Sequence, residues 1–389
     1  MHGRKKSDLP QTKEEKDAVQ AKISNYMKVI GAIRHKRAAG EMDEEYKGLL
    51  GKLLRLHPDF YSMWNFRKEA VLQEIGRIGE DRSNSSEGRD KALGAVYEEE
   101  LALSVDCIKR NPKSYPAWHH HKWALEKGLD FLGGSAILKE DLALCGSFLE
   151  LDGRNFHCWA HRMWVAEKMG LSASDNLDFT TTKIMQNFSN YSAFHVRSKM
   201  LPRIVQEDGC DRWHLLQREL DITHDAMFTE PADQSVWWYY HFLLTWAEGA
   251  GDGREDIYAN VLRDERYTLR DLVEVEGRCK WAELALLLVT KRLIGWLRRE
   301  KSPRVTHLDG DKAAAAADEG DKGLPEVASL EESCLGMASR LAKLDPMHAR
   351  FYAFVEQGGS VWRNNNHQLP QEKQEEVDGA ADAVVGGIA

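Results

Sequence analysis

One lysine stands at a position where an anion could bind. Lys113 lies in the segment Asn111-Pro-Lys-Ser-Tyr, between a proline turn and the start of a predicted helix. The free backbone N–H groups and the dipole of a helix favour negative charge at this end. An ammonium group there could also neutralise charge on a departing leaving group. The alternative is a solvated loop lysine, because isolated lysines are usually surface residues.

Two groups of histidines raise the question of a metal site. His119, His120 and His121 are consecutive, and consecutive helical side chains point about 100° apart, so the three cannot converge on one ion. His157 and His161 are four residues apart and share one helical face, but a third and a fourth ligand are missing nearby. We therefore predict that this chain holds no metal ion.

Composition and missing motifs exclude several classes of protein. The chain has 389 residues and a net charge of −9, which argues against a surface that coats nucleic acid. Its six cysteines are far apart and form no CxxC pair, as expected of reduced intracellular thiols. No Ser-His-Asp arrangement, P-loop or dinucleotide-binding fingerprint stands out. The longest apolar run, 284–289, is too short to span a bilayer, so we expect a soluble cytoplasmic protein.

Apolar residues recur every three or four positions over most of the chain, which predicts an all-α protein. Large aromatic residues mark a repeat at intervals of 35 to 54 residues among its first six copies. These anchors are Trp64, Trp118, Trp159, Phe194, Trp237, Trp281 and Tyr352. A turn residue precedes four of them by six positions, namely Pro58, Pro112, Gly153 and Pro231. An arginine follows three of them by three positions, namely Arg67, Arg162 and Arg197.

This pattern predicts stacked helical hairpins. Proline ends one helix, and the next helix begins at a polar cap and places the aromatic anchor at its first inward position. A single hairpin cannot bury its own apolar face, so a core requires several hairpins packed together. We interpret the anchors and arginines as structural residues, with the arginines also reaching a subunit interface. His121 replaces arginine in the second copy, which puts the buried pairing of that copy in doubt.

The repeats and two polar segments divide the chain. We predict a helical-repeat domain over 1–300 with six repeats, and a last repeat over 327–362. The segment 301–326 contains an alanine run among Asp, Gly and Lys, which is typical of a low-complexity insertion or linker. The polar segment 363–389 is predicted to be a disordered tail.

The repeats resemble a known family. The phrases Asn111-Pro-Lys-Ser-Tyr-Pro-Ala-Trp-His-His, Asp152-Gly-Arg-Asn-Phe-His-Cys-Trp and Asn187-Phe-Ser-Asn-Tyr-Ser-Ala-Phe-His-Val-Arg are similar to repeats of protein prenyltransferase α subunits. Among these, the match is best with α subunits of Rab geranylgeranyltransferase, the type II enzyme. Tetratricopeptide repeats compete less well, because their period is a tight 34 residues. The resemblance implies a right-handed superhelix of hairpins that wraps a β subunit.

The same resemblance implies a function and roles for three residues. In the family, the β subunit holds the zinc and the isoprenoid, and this subunit has no cofactor of its own. The heterodimer transfers geranylgeranyl from its diphosphate to C-terminal cysteines of Rab GTPases presented by an escort protein. Lys113 is expected to contact the diphosphate at the subunit interface, with Tyr115 lining the site and His157 close to it. A packed interface histidine is the simpler alternative for His157.

Two alternatives stay open at this point. The chain could be the α subunit that farnesyltransferase and geranylgeranyltransferase type I share, because the repeats do not hold the lipid. It could also be a helical-repeat adaptor that binds a peptide and has no catalytic partner. An adaptor is expected to be soluble alone, whereas an obligate subunit should aggregate through its exposed interface.

Overall fold

The computed structural model describes residues 12–356 except 84, 250, 252 and 302–324. Every regular element in this part of the chain is a helix, which confirms the all-α prediction. The described residues form two compact units that divide between Glu207 and Asp208. The predicted tail and most of the predicted 301–326 linker lie outside the described residues, although a helix already begins at Pro325.

The described part of the first unit contains nine helices. They are α1 (Lys13–Ala38), α2 (Glu44–Leu56), α3 (Tyr61–Glu80), α4 (Ser86–Arg110), α5 (Tyr115–Gly128), α6 (Ser135–Leu151), α7 (Phe156–Lys168), α8 (Ala173–Gln186) and α9 (Tyr191–Glu207). Four hairpins pair α2 with α3, α4 with α5, α6 with α7 and α8 with α9, while α1 packs on α2. The odd-numbered helices from α3 onward each carry one aromatic anchor in their first turn.

The described part of the second unit contains six α-helices and a short 3₁₀ turn. They are α10 (Arg212–Thr229), α11 (Gln234–Glu248), α12 (Glu255–Glu276), α13 (Lys280–Lys301), α14 (Pro325–Leu344), the turn Pro346–His348 and α15 (Ala349–Glu356). Here α10 pairs with α11 and α12 pairs with α13, which also packs on α14. The helical hairpin is therefore the building block of both units.

The residue six positions before each of four tryptophan anchors has a direct structural role. The indole N–H of Trp64 donates to the carbonyl of Pro58 at 2.7 Å, and Trp118 does the same to Pro112 at 2.8 Å. Trp159 with Gly153 at 2.8 Å and Trp237 with Pro231 at 2.9 Å repeat the bond. The turn that ends one helix is thus bonded to the first turn of the next, and otherwise orphaned carbonyls gain a donor.

The helix caps join neighbouring hairpins through the same carbonyls. The side chain of Asn155 caps α7 by accepting from the Cys158 amide at 3.1 Å, and its amide group donates to the Pro112 carbonyl at 2.9 Å. Ser114 and Asn190 act likewise, donating to the carbonyls of Pro58 and Gly153 at 3.0 and 2.9 Å. One short polar side chain therefore starts a helix and also fixes it to the preceding hairpin.

Candidate functional site

Lys113 lies in the turn between α4 and α5, as its sequence context predicts. Asn111 ends α4, and its side chain accepts from the Lys113 amide at 3.3 Å. Ser114 caps α5 by accepting from the amide of Ala117. The Lys113 side chain is 72% exposed, and its Nζ is 3.8 Å from a carboxylate oxygen of Asp152, which ends α6. At this distance the ion pair is weak, so the ammonium group stays available to an anion in solvent.

Tyr115 and His157 lie together beside this lysine. Their ring centroids are 4.2 Å apart and their planes are nearly perpendicular, at 88°. Phe156 contacts the same imidazole, with centroids 3.9 Å apart. The three residues that the sequence analysis places near a diphosphate are thus close neighbours, although they come from two hairpins.

The electrostatic state of His157 suits a neutral hydrogen-bonding group. Burial lowers the pKa of His157, and a hydrogen bond to the Lys113 backbone opposes only part of that shift. Its Nε2 atom is buried and has no hydrogen-bond partner among the described residues. The site therefore combines a solvated ammonium group, a tyrosine hydroxyl and one unused imidazole nitrogen.

Exposed aromatic rings recur at equivalent positions of the hairpins in the first unit. Each lies three residues before an anchor, at the first position of α3, α5, α7 or α9, and they are between 52% and 60% exposed. They are Tyr61, Tyr115, Phe156 and Tyr191. We name this set the aromatic row. The sequence analysis missed it as a surface, although its spacing from the anchors was visible. Tyr115 and Phe156 contact each other, with ring centroids 5.7 Å apart, and adjoining exposed apolar rings are typical of an interaction surface.

The repeat residues themselves belong to the core. The anchors Trp64, Trp118, Trp159, Phe194 and Trp237 are all buried, and so are Arg67, Arg162 and Arg197. Inside their unit, Arg67 binds Glu100 and the Lys47 carbonyl, and Arg162 binds Asn176 through Nη1, while the buried Nε of Arg162 has no hydrogen-bond partner among the described residues. Their burial supports the structural role and leaves no exposed guanidinium for a partner surface.

The second copy of the repeat resolves the question raised by His121. Its Nε2 atom lies 2.8 Å from Oδ1 of Asp141, and its Nδ1 atom lies 2.9 Å from the hydroxyl of Ser104. His161 contacts the other oxygen of Asp141 at 2.6 Å. His157, although four residues from His161, is not part of this group. His119 is exposed and His120 pairs with Glu100 at 2.8 Å, so the three consecutive histidines do diverge.

Comparison with known proteins identifies the repeat. Five segments of the chain match the family described as "Protein prenyltransferase alpha subunit repeat": 48–74, 97–128, 138–169, 173–204 and 216–247. Each segment covers most of one hairpin, from α2/α3 to α10/α11. The chain belongs to the protein prenyltransferase α subunit repeat family. The match confirms the first five copies that the anchors predict.

The chain is similar to several proteins named "Geranylgeranyl transferase type-2 subunit alpha". The mouse protein is 38% identical over 255 residues, which are 64% of this chain and 42% of the mouse protein. The Candida albicans protein is 28% identical over 313 residues, which are 71% of this chain and 82% of that protein. The chain thus spans less than half the length of the mouse relative that it matches.

A solved structure agrees with the fold. The structure described as "Candida albicans protein geranylgeranyltransferase-I complexed with GGPP" matches with a TM-score of 0.56 over 87% of this chain and 91% of that chain. Identity is 14%, so the similarity concerns the prenyltransferase fold alone. Among the helices in the described residues, none is both long and apolar enough to cross a membrane.

Proposed function

We propose that this chain is the α subunit of a heterodimeric Rab geranylgeranyltransferase. The enzyme would transfer geranylgeranyl from geranylgeranyl diphosphate to C-terminal cysteines of Rab GTPases presented by an escort protein. The repeat family and the shared name of the type-2 relatives support this proposal. The single structural observation that carries it is the grouping of the exposed Lys113 and Tyr115 with the buried His157 in the first unit.

In this proposal the partner β subunit holds the zinc and the isoprenoid. The role of the present chain is electrostatic and positional. The Lys113 ammonium binds a diphosphate oxygen, and its charge stabilises the leaving group as the bond to the lipid breaks. The α5 N-terminus favours the same anion. Tyr115 lines the site, and the His157 ring packs against it at a centroid distance of 4.2 Å and holds it in place.

The aromatic row gives the β subunit a surface to pack on. Four exposed rings are costly in water, and burying them against a partner would contribute several kcal/mol of the association free energy, at about 25 cal/mol per Å² of apolar area. The adaptor alternative uses the same surface for a peptide. The two proposals differ in whether a stable second subunit is required.

Co-expression with a type-2 β subunit separates them. The account predicts a one-to-one complex that survives gel filtration, whereas the chain expressed alone aggregates. Replacing Tyr61 and Tyr191 by serine should weaken the complex and should leave the fold intact, because both side chains are mostly exposed. If the chain alone is monodisperse and does not bind the β subunit, this result would support the adaptor hypothesis and contradict the proposed assembly.

A further inference from the structure

One buried carboxylate in the first unit has no partner with a permanent positive charge among the described residues. Asp141 lies between His121 and His161, and all three side chains are buried. The preceding copy has the same arrangement with a different charge: Glu100 lies between Arg67 and His120. There, the guanidinium balances the carboxylate at every pH. At Asp141 both partners are histidines, so among the described residues no permanently charged side chain is bonded to this carboxylate.

The donor atoms around Asp141 form a four-atom set. The two Nε2 atoms and the two carboxylate oxygens come from side chains on α5, α6 and α7. One ligand atom from each of the three residues lies within 4.8 Å of the other two. Each imidazole contacts a different oxygen, at 2.8 and 2.6 Å. Neutral imidazole and carboxylate are ligands that zinc accepts, most often in sets of four.

The second ring nitrogen of His121 is also held. Its Nδ1 atom is 2.9 Å from the Ser104 hydroxyl, which is itself 2.9 Å from the Glu100 carbonyl. Because the Ser104 hydroxyl donates its own proton to that carbonyl, its oxygen can accept a hydrogen bond from the Nδ1–H group of His121. A metal ion at this place would bind Nε2 in exchange for the proton of its hydrogen bond to Asp141. A metal-binding histidine is usually fixed in this way by a partner on its other nitrogen.

We propose that His121, Asp141 and His161 bind one zinc ion inside the first unit, independently of the proposed transferase activity. In a tetrahedral site, zinc bonds of about 2.0 Å place neighbouring ligand atoms about 3.3 Å apart, so the present N···O pairs open by about 0.5–0.7 Å on binding.

Two substitutions taken from other copies of the repeat remove one donor each. His121→Arg introduces the arginine that other copies have at this position, as at Arg67 and Arg162. His161→Tyr installs the counterpart of Tyr239, whose hydroxyl donates to Glu219 at 2.5 Å. Both variants leave Asp141 with a partner and are expected to fold. His119→Gln is the matched control, because His119 is exposed and lies outside the cluster.

The test is metal analysis of the full chain after incubation with zinc sulfate and gel filtration into metal-free buffer. All four proteins are prepared in the same way, either all alone or all with the same β subunit. We expect wild type and His119→Gln to contain about one zinc ion more per chain than His121→Arg and His161→Tyr. Cobalt(II) should give the visible absorption of a four-coordinate site in the first pair only. Equal zinc content in all four folded proteins would overturn the proposal.

Discussion

The indole N–H of Trp118 donates to the backbone carbonyl of Pro112 at 2.8 Å, six residues earlier in the chain. The same carbonyl accepts the side-chain amide of Asn155 at 2.9 Å. One bond closes a hairpin turn, and the other attaches the next hairpin. Equivalent pairs of hydrogen bonds recur at the carbonyls of Pro58 and Gly153. The hairpins of the first unit are therefore joined by a regular series of carbonyls that each accept two hydrogen bonds.

Replacing the anchor Trp118 by phenylalanine tests the value of this bond. Phe194 shows that a phenylalanine ring fits the equivalent position, so the variant should keep its fold. Loss of the donor should lower the free energy of unfolding by about 1 kcal/mol, with a further contribution from the smaller ring. Urea denaturation measures the change. Tyr191→Phe is the control, because its side chain is half exposed, and a similar loss in both variants would contradict the assignment.

The buried arginine of the first copy should matter more. Arg67→Met leaves Glu100 as a buried carboxylate with only His120 as partner, and we expect a loss of about 3–5 kcal/mol. Adding Glu100→Gln should recover part of that loss, because it removes the unpaired charge. Arg55→Met breaks an exposed ion pair with Asp106 and should cost at most about 1 kcal/mol. Similar chemical-denaturation midpoints for the two arginine variants would contradict this distinction.

The sequence was sufficient to predict the hairpins, because the aromatic anchors and turn residues carry a local signal. It also placed Lys113, Tyr115 and His157 together, although only through the family resemblance. The cluster at Asp141 could not be predicted from spacing. His121 and His161 are each 20 residues from Asp141, and their convergence depends on how α5, α6 and α7 stack. The aromatic row was missed because exposure follows from packing, whereas the pattern shows only periodicity.

A buried histidine in the second unit should make stability depend on pH. Burial lowers the pKa of His241 from 6.5 to about 3. The folded state then binds fewer protons than the unfolded state between these values, so this contribution is present above pH 6.5 and is lost as the pH falls. The slope is about 1.4 kcal/mol per pH unit inside this window. His241→Gln should reduce the slope of unfolding free energy against pH, whereas the exposed His35→Gln should not.

Lys113 should affect catalysis and leave stability unchanged. Its side chain is mostly exposed and its ion pair with Asp152 is long. Lys113→Ala in the reconstituted heterodimer should slow geranylgeranyl transfer about 10²-fold, as expected for one lost charge that stabilises a leaving group. Lys113→Arg should retain a larger part of the rate, and Lys127→Ala should match wild type. An unchanged single-turnover rate for Lys113→Ala would exclude the proposed role of the lysine.

The most direct measurement is transfer of labelled geranylgeranyl to a Rab–escort complex by this chain reconstituted with a type-2 β subunit. We predict incorporation into Rab that requires both subunits and the escort protein, with geranylgeranyl diphosphate preferred over farnesyl diphosphate. Transfer by the β subunit alone, or equal use of farnesyl diphosphate on peptides without an escort protein, would contradict the account.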